Sequence, residues 1–183
     1  MAEAKSLQRS ATNQLRAWAR VPTRLGTFHV ATHGGAVVQT GLPATDTRRF
    51  LGELATRLPH VEFREDPRDP VLVQAAAELQ EYAEGRRRAF GVPVRLEGTA
   101  FQKKVWQALA AIPYGETRSY HEVAHAIGRP GASRAVGQAN HHNPVAPLIP
   151  CHRVVTSSGT LGGYGGGVDL KRAMLQQEGV QLR

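Results

Sequence analysis

Residues 119–140, SYHEVAHAIGRPGASRAVGQAN, decide the fold of the C-terminal half. Ser119 and Glu122 stand at N-cap and N3, the spacing of a capping box, and open a helix. Gly128 suits a C-terminal stop. RPGA (129–132) turns the chain, and SRAVGQAN (133–140) predicts a second short helix. Two short helices around a tight Gly/Pro turn make the helix-turn-helix outline, a pattern that other helical hairpins share.

The flanks continue the helical reading. In TAFQKKVWQALAAIP (99–113), Thr99 is a candidate N-cap. Phe101, Val105, Leu109 and Ile112 line one face, with Trp106 and Ala108 beside them. PYGET (113–117) reads as a turn. Beyond the hairpin, six glycines between Gly159 and Gly167 make a loop whose backbone can approach a ligand closely. Asp169 is the expected cap of a final helix carrying Leu170, Met174 and Glu178, with Gly179 ending it.

The N-terminal half has a different texture. GTFHVATHGGAVVQTGLP (26–43) alternates β-formers around Gly34-Gly35 and predicts a hairpin. Phe50, Leu51, Leu54 and Leu58 recur at helical spacing. Val71, Ala75, Leu79 and Tyr82 define a second helix that Gly85 could end. GVPVRL (91–96) returns to strand character. Residues 1–22 read as a polar arm with partial helical character. LEGTA (96–100) marks a boundary. The expected organisation is an arm over 1–22, an α/β scaffold over 23–97 and a mostly α domain over 98–183.

Bulk composition narrows the function. The 183 residues carry a formal net charge of +8, and the pI is about 10.4. Residues 1–98 hold 14 Lys+Arg against 11 Asp+Glu, and residues 99–183 hold 9 against 4, so the positive excess is denser in the C-terminal half. Such an excess points to a polyanionic partner, nucleic acid first. A single cysteine can form neither an internal disulfide nor a cysteine-rich zinc site, which fits a reducing compartment. The N-terminus lacks the apolar core of a secretory signal, and no apolar run is long enough to span a bilayer. The expectation is a soluble, cytoplasmic protein with no membrane partner.

That one cysteine, Cys151, sits in IPCHRVV (149–155) with His152 directly after it. A thiol becomes a strong nucleophile when a nearby base or positive charge favours its ionisation. In an extended segment, adjacent side chains point apart, so a bridging water between His152 and the thiol is the better expectation than a direct bond. The imidazole then needs an orienting carboxylate, and Glu178 and Glu122 are both candidates. A lone cysteine among apolar residues also fits an inert core position. His141-His142 reads as a solvated helix end. His121 and His125, one helical turn apart, read as surface.

Taken together, NPVAPLIPCHRVV, the SYHEVAHAIG…ASRAVGQANHHNP hairpin, GTAFQKKVWQALAAIPYGETRSY, GTLGGYGGG and QQEG resemble the O6-alkylguanine-DNA alkyltransferases. The resemblance runs almost unbroken from Gly98 to Gly179 and is looser over 24–97, where EYAEGRRRAFGVPV fits the family's interdomain region. It implies a ribonuclease H-like α/β N-terminal domain. It also implies a mostly α C-terminal domain with a winged-helix-like helix-turn-helix.

The resemblance further implies direct-reversal DNA repair. Cys151 would take an alkyl group from O6 of guanine, or from O4 of thymine, in one irreversible step. Glu178 would orient His152, with a water between His152 and the thiol. Tyr120 would serve the leaving base, and Asn143 would brace the turn before the active-site segment. The carbonyls of Cys151 and Val154 and an amide near Gly165 would read the guanine edge, with Tyr164 and Lys171 completing the alkylguanine pocket. Many relatives carry serine where this chain has Gly165. Arg134 would fill the stack after the base is flipped out. Ala132, Ser133, Ala135 and Gly137 are small enough for close approach to a minor groove. The implied partner is double-stranded DNA bound by a monomer. No cofactor is implied. Some relatives hold zinc through N-terminal cysteines that this chain lacks, so no metal is expected.

Overall fold

The computed structural model describes residues 16–181. They divide into two compact units: one holds the chain up to Glu84 together with Phe90–Arg95, and the other holds Gly85–Ala89 together with the chain from Leu96 onward.

In the N-terminal unit, β1 (Arg16–Thr23), β2 (Gly26–His33) and β3 (Ala36–Gly41) form an antiparallel meander. A two-residue strand, β4 (Arg64–Glu65), pairs parallel to β1, giving the order β3-β2-β1-β4. The β2–β3 turn uses Gly34 and Gly35 at φ 60° and 76°, the left-handed values that a two-residue hairpin matched to strand twist demands. Helix α1 (Thr47–Arg57) begins where Asp46 accepts a hydrogen bond from the Arg49 amide. Its Phe50 and Leu54 pack with Trp18, Ala31 and Val38, and Leu51, Leu58 and Phe63 close the cluster. Phe28 and Val30, also fully buried, alternate with His29 and Ala31 along β2. Helix α2 (Pro70–Ala83) packs on β1, β2 and β3 and buries Leu72, Ala75, Leu79 and Tyr82.

Three expectations change here. Residues 16–22, read as part of a polar arm, are a sheet strand, whereas residues 1–15 lie outside the described residues. RAWARVPT has the alanine and arginine content of a helix former, but pairing with β2 across the turn at Thr23 and Gly26 overrides local propensity. GVPVRL makes one bridge rather than a strand: Val37 donates to Pro93 O at 2.8 Å and Arg95 donates to Val37 O at 2.9 Å. In α2 the fully buried position of the first turn is Leu72 rather than Val71.

The C-terminal unit is mostly helical. Helix α3 (Ala100–Ala110) starts in a capping box between Thr99 and Gln102 and buries Val105, Trp106 and Leu109. β5 (Arg118–Ser119) leads into α4 (Tyr120–Ala126), capped by Ser119 and Glu122 as the spacing predicts. After the turn comes α5 (Ser133–His141). Trp106 Nε1 donates to Ala139 O at 2.8 Å and ties α3 to α5. Cys151–Arg153 is a single 3₁₀ turn, followed by β6 (Val154–Val155), which pairs parallel with β5. Helix α6 (Val168–Gln177) completes the unit. The expected cap at Asp169 is corrected: Gly167 is the N-cap, without side-chain capping, and Asp169 lies inside the first turn, where its charge still faces the positive end of the helix.

Phe50 has no solvent exposure and packs from α1 with Trp18, Ala31 and Val38 of the sheet. Phe50→Ala is expected to destabilise the chain by about 3–5 kcal/mol. Urea denaturation checks this, and an unchanged midpoint would contradict the packing.

Candidate active site

Cys151 opens the 3₁₀ turn and is 4 % exposed, and its amide donates to Ile149 O at 2.8 Å. The segment is a turn and not extended, so the geometry assumed for Cys151 and His152 from sequence is corrected. The thiol is pushed up by burial, while a hydrogen bond with Asn143, the charge of Lys171 and a hydrogen bond with Tyr164 pull it down. The net shift is upward, so the resting group is a thiol.

His152 is completely buried. Its Nε2 lies 2.8 Å from Glu178 Oε1. A carboxylate only accepts, so Nε2 carries the hydrogen. Burial holds the imidazole below its ordinary pKa; Glu178 opposes this, and Arg153 and Lys171 reinforce it. The result is a neutral ring, able to accept a proton at Nδ1.

Glu178 is the C-cap residue of α6. Its Oε2 accepts from Arg153 Nε at 2.8 Å and from the Gly115 amide at 3.2 Å, and its Oε1 also accepts from Arg153 Nη2 at 3.1 Å. Burial alone would raise this carboxyl, but the hydrogen bonds from His152 and Arg153 outweigh it and hold the pKa at about 2. The rival carboxylate, Glu122, is committed to its helix cap, where Oε2 accepts from the Ser119 amide at 2.7 Å. The structure therefore places Glu178 on His152.

Arg153 is the residue that sequence reasoning missed. It is 6 % exposed, and Nη1 donates to Ile112 O at 2.7 Å. An arginine directly before two valines in an otherwise apolar segment calls for a carboxylate partner, which was the available signal. Tyr114 was read only as part of a turn, yet its hydroxyl donates to Gln177 O at 3.1 Å.

Lys171 has no solvent exposure. Its ammonium donates to Val154 O at 2.6 Å and also to Leu161 O. Burial lowers its pKa to about 8, with the Cys151 charge acting the other way. Asn143 Nδ2 donates to Ile149 O at 2.8 Å, and its Oδ1 accepts from the Val145 amide at 3.1 Å, so it braces the approach to Cys151. Tyr120 is half-buried, and burial and the nearby Cys151 raise its phenol. A Cβ on Gly162 would lie 3.6 Å from the Tyr120 hydroxyl, and one on Gly137 would lie 3.8 Å from its ring. Tyr164 is half-buried beside Met174, and Gly165 is exposed in the glycine loop.

On α5, Arg134 and Ala135 are exposed, Ser133 and the preceding Ala132 are half-buried, and Gly137 lies against Tyr120. His121 and His125 stack edge-on at 4.4 Å, and His141 and His142 at 5.4 Å; all four are exposed. Among the described residues no three His, Cys, Asp or Glu side chains form a metal-binding group, and no helix is long and apolar enough to cross a membrane.

The depressed Glu178 pKa has a definite sign. Its stabilisation, on the order of 3 kcal/mol, is fully present above the unfolded carboxyl pKa of about 4.5 and is lost as the pH falls toward 2. Glu178→Gln is therefore expected to be markedly less stable than wild type at pH 7, with the gap narrowing between about pH 5 and pH 2. Urea titrations across that range check it, and a gap independent of pH would contradict it.

Residues 100–180 match the family model described as the DNA-binding domain of 6-O-methylguanine DNA methyltransferase. The chain is 57 % identical over 104 residues to the methylated-DNA–protein-cysteine methyltransferase of Mycobacterium tuberculosis strain H37Rv, covering 57 % of this chain and 63 % of that protein. The matched stretch thus spans somewhat less than two thirds of that relative. The constitutive methylated-DNA–protein-cysteine methyltransferase of Bacillus subtilis is 45 % identical over 124 residues, covering 67 % of this chain and 75 % of that protein. The crystal structure of M. tuberculosis OGT in complex with DNA superposes with a TM-score of 0.76 at 41 % identity, covering 88 % of this chain and 92 % of that one. These likenesses show that the chain belongs to the methylated-DNA–protein-cysteine methyltransferase family.

Proposed function

We propose that this protein repairs alkylated DNA by moving the alkyl group from O6 of guanine, or O4 of thymine, in duplex DNA onto Cys151. The observation that carries the reading is the buried Glu178–His152 pair, closed at 2.8 Å, beside the chain's only thiol. Family membership and the likeness to a relative solved with DNA support the substrate. The strand order β3-β2-β1-β4 supports a ribonuclease H-like N-terminal unit, and α4–α5 with the β5–β6 pair supports a winged-helix-like C-terminal one.

The chemistry follows from the charges. A neutral His152 takes the thiol proton through a bridging water, with Glu178 stabilising the imidazolium that forms. The Lys171 ammonium stabilises the thiolate. The sulfur–carbon bond forms as the carbon–O6 bond breaks, and the electron pair stays with the purine. Tyr120 supplies a proton to the departing base. One proton passes from sulfur to His152 and one from Tyr120 to guanine. The imidazolium then gives up its proton and the phenolate regains one through solvent, so the overall step is neutral. The product is a thioether, whose carbon is a poor electrophile. The protein is consumed in one event and needs no cofactor.

The target base is out of reach inside a duplex and is flipped into the pocket bounded by Tyr120, Val154, Tyr164, Gly165 and Lys171. Exposed Arg134 fills the space it leaves, and the small residues Ala132, Ser133, Ala135 and Gly137 let α5 approach the minor groove. The protein works as a cytoplasmic monomer.

Incubation with a duplex holding one O6-methylguanine is expected to add one methyl group per protein, located on Cys151 by mass spectrometry. Repeated turnover, or no adduct, would refute the proposal. Cys151→Ala is expected to lose transfer and keep salt-dependent DNA binding. Arg134→Ala is expected to slow reaction with the duplex more than reaction with the free alkylated base, and equal slowing would remove Arg134 from the flipping step.

A further inference from the structure

The PYGET turn does more than reverse the chain. Tyr114 and Gly115 meet the end of α6 at three points. The Tyr114 hydroxyl donates to Gln177 O at 3.1 Å, and the Gly115 amide donates to Glu178 Oε2 at 3.2 Å. Gly115 has φ +82°, and a Cβ there would lie 3.0 Å from the Glu178 carbonyl oxygen. The backbone angle favours glycine, and the tight space beside the Glu178 carbonyl adds to that demand. The Tyr114 ring also lies 5.7 Å from the guanidinium of Arg153, the cation that pairs with Glu178, and 5.6 Å from that of Arg88. A guanidinium near an aromatic face is attracted by the ring quadrupole, most strongly where water is excluded. The ring therefore restrains Arg153 from one side while Ile112 O holds its Nη1 at 2.7 Å.

We infer that Tyr114 and Gly115 are positioning residues for the Glu178–His152 pair: they seat the carboxylate and restrain Arg153, and so keep His152 neutral and aligned. Neither residue touches the thiol in this role; both act through Glu178. The inference rests on the proposed alkyl transfer for its biological meaning, but not for its physical content. If Arg153 loosens, Glu178 loses a compensating cation, and its bare charge draws a proton onto His152. A protonated His152 cannot accept the thiol proton. The signature is thus a displaced pH dependence at the thiol, which a merely destabilised fold would not produce.

The test uses the full chain and three variants, Tyr114→Leu, Tyr114→Phe and Gly115→Ala. Single-turnover methyl transfer from a methylated duplex is followed across pH. Tyr114→Leu and Gly115→Ala are expected to slow transfer about tenfold, on the scale of a small misplacement remote from the reacting atoms, and to move the acid limb to higher pH. Tyr114→Phe keeps the ring beside Arg153 and is expected to retain most of the rate and the wild-type limb. A second arm needs no DNA: iodoacetamide alkylates the single cysteine, and its pH profile is expected to be displaced in Tyr114→Leu and Gly115→Ala but not in Tyr114→Phe. If wild type takes no methyl group from DNA, the functional reading fails, and the iodoacetamide profiles still judge the positioning role. Wild-type iodoacetamide profiles in Tyr114→Leu and Gly115→Ala, with any loss of transfer confined to a smaller reactive fraction, would overturn it.

Discussion

A carboxylate with no access to water must find its solvation in the protein, and Glu178 finds it in His152, Arg153 and the Gly115 amide. Taking such charges out of water costs several kcal/mol per ion, and only a full set of hydrogen bonds offsets that. The requirement ties three parts of the C-terminal unit together. Glu178 ends α6, His152 and Arg153 belong to the 3₁₀ turn, and Gly115 belongs to the turn after α3. Three segments distant in sequence are held by one anion. The hydrogen-bond set also fixes the tautomer of His152, because an acceptor-only carboxylate leaves Nε2 no alternative.

Around that anion the site balances opposing demands. Burial protects the thiol but disfavours its ionised form, and it also weakens the charge on Lys171. The two groups meet in the middle: the ammonium is held by the Val154 and Leu161 carbonyls, and its charge acts on the sulfur. A thiol kept protonated at rest is protected from incidental alkylation and oxidation, which follow thiolate character. For a protein whose thiol would be spent once, that restraint has obvious value.

The sequence made some of this legible and hid the rest, for physical reasons. The caps at Thr99 and Ser119 and the Gly34-Gly35 hairpin are local, so their residues announce them. The strand at 16–23 was hidden because its alanines and arginines suit a helix and only the pairing with β2 makes it a strand. The choice between Glu122 and Glu178 was invisible to spacing, since it depends on packing α6 against the 3₁₀ turn; family resemblance pointed to Glu178, and the geometry places it on His152. Arg153 carried a signal, a cation directly before two valines, that asked for a partner without naming it. Asp169 illustrates the opposite error: a good capping residue displaced by one turn geometry, because Gly167 already opens the helix.

The two-rung pairing of Arg118 with Val154 and of Ser119 with Val155 has a further consequence. It joins the residue before Tyr120 to the segment just after the thiol turn, across more than thirty residues of intervening chain. The separation of phenol and sulfur is therefore set by this ladder, as the gap of a vice is set by its screw rather than by the length of its handle. The tip of the helical hairpin at Arg129–Ala132 lies outside this ladder, so a change in its length or charge leaves the gauge between phenol and sulfur the same.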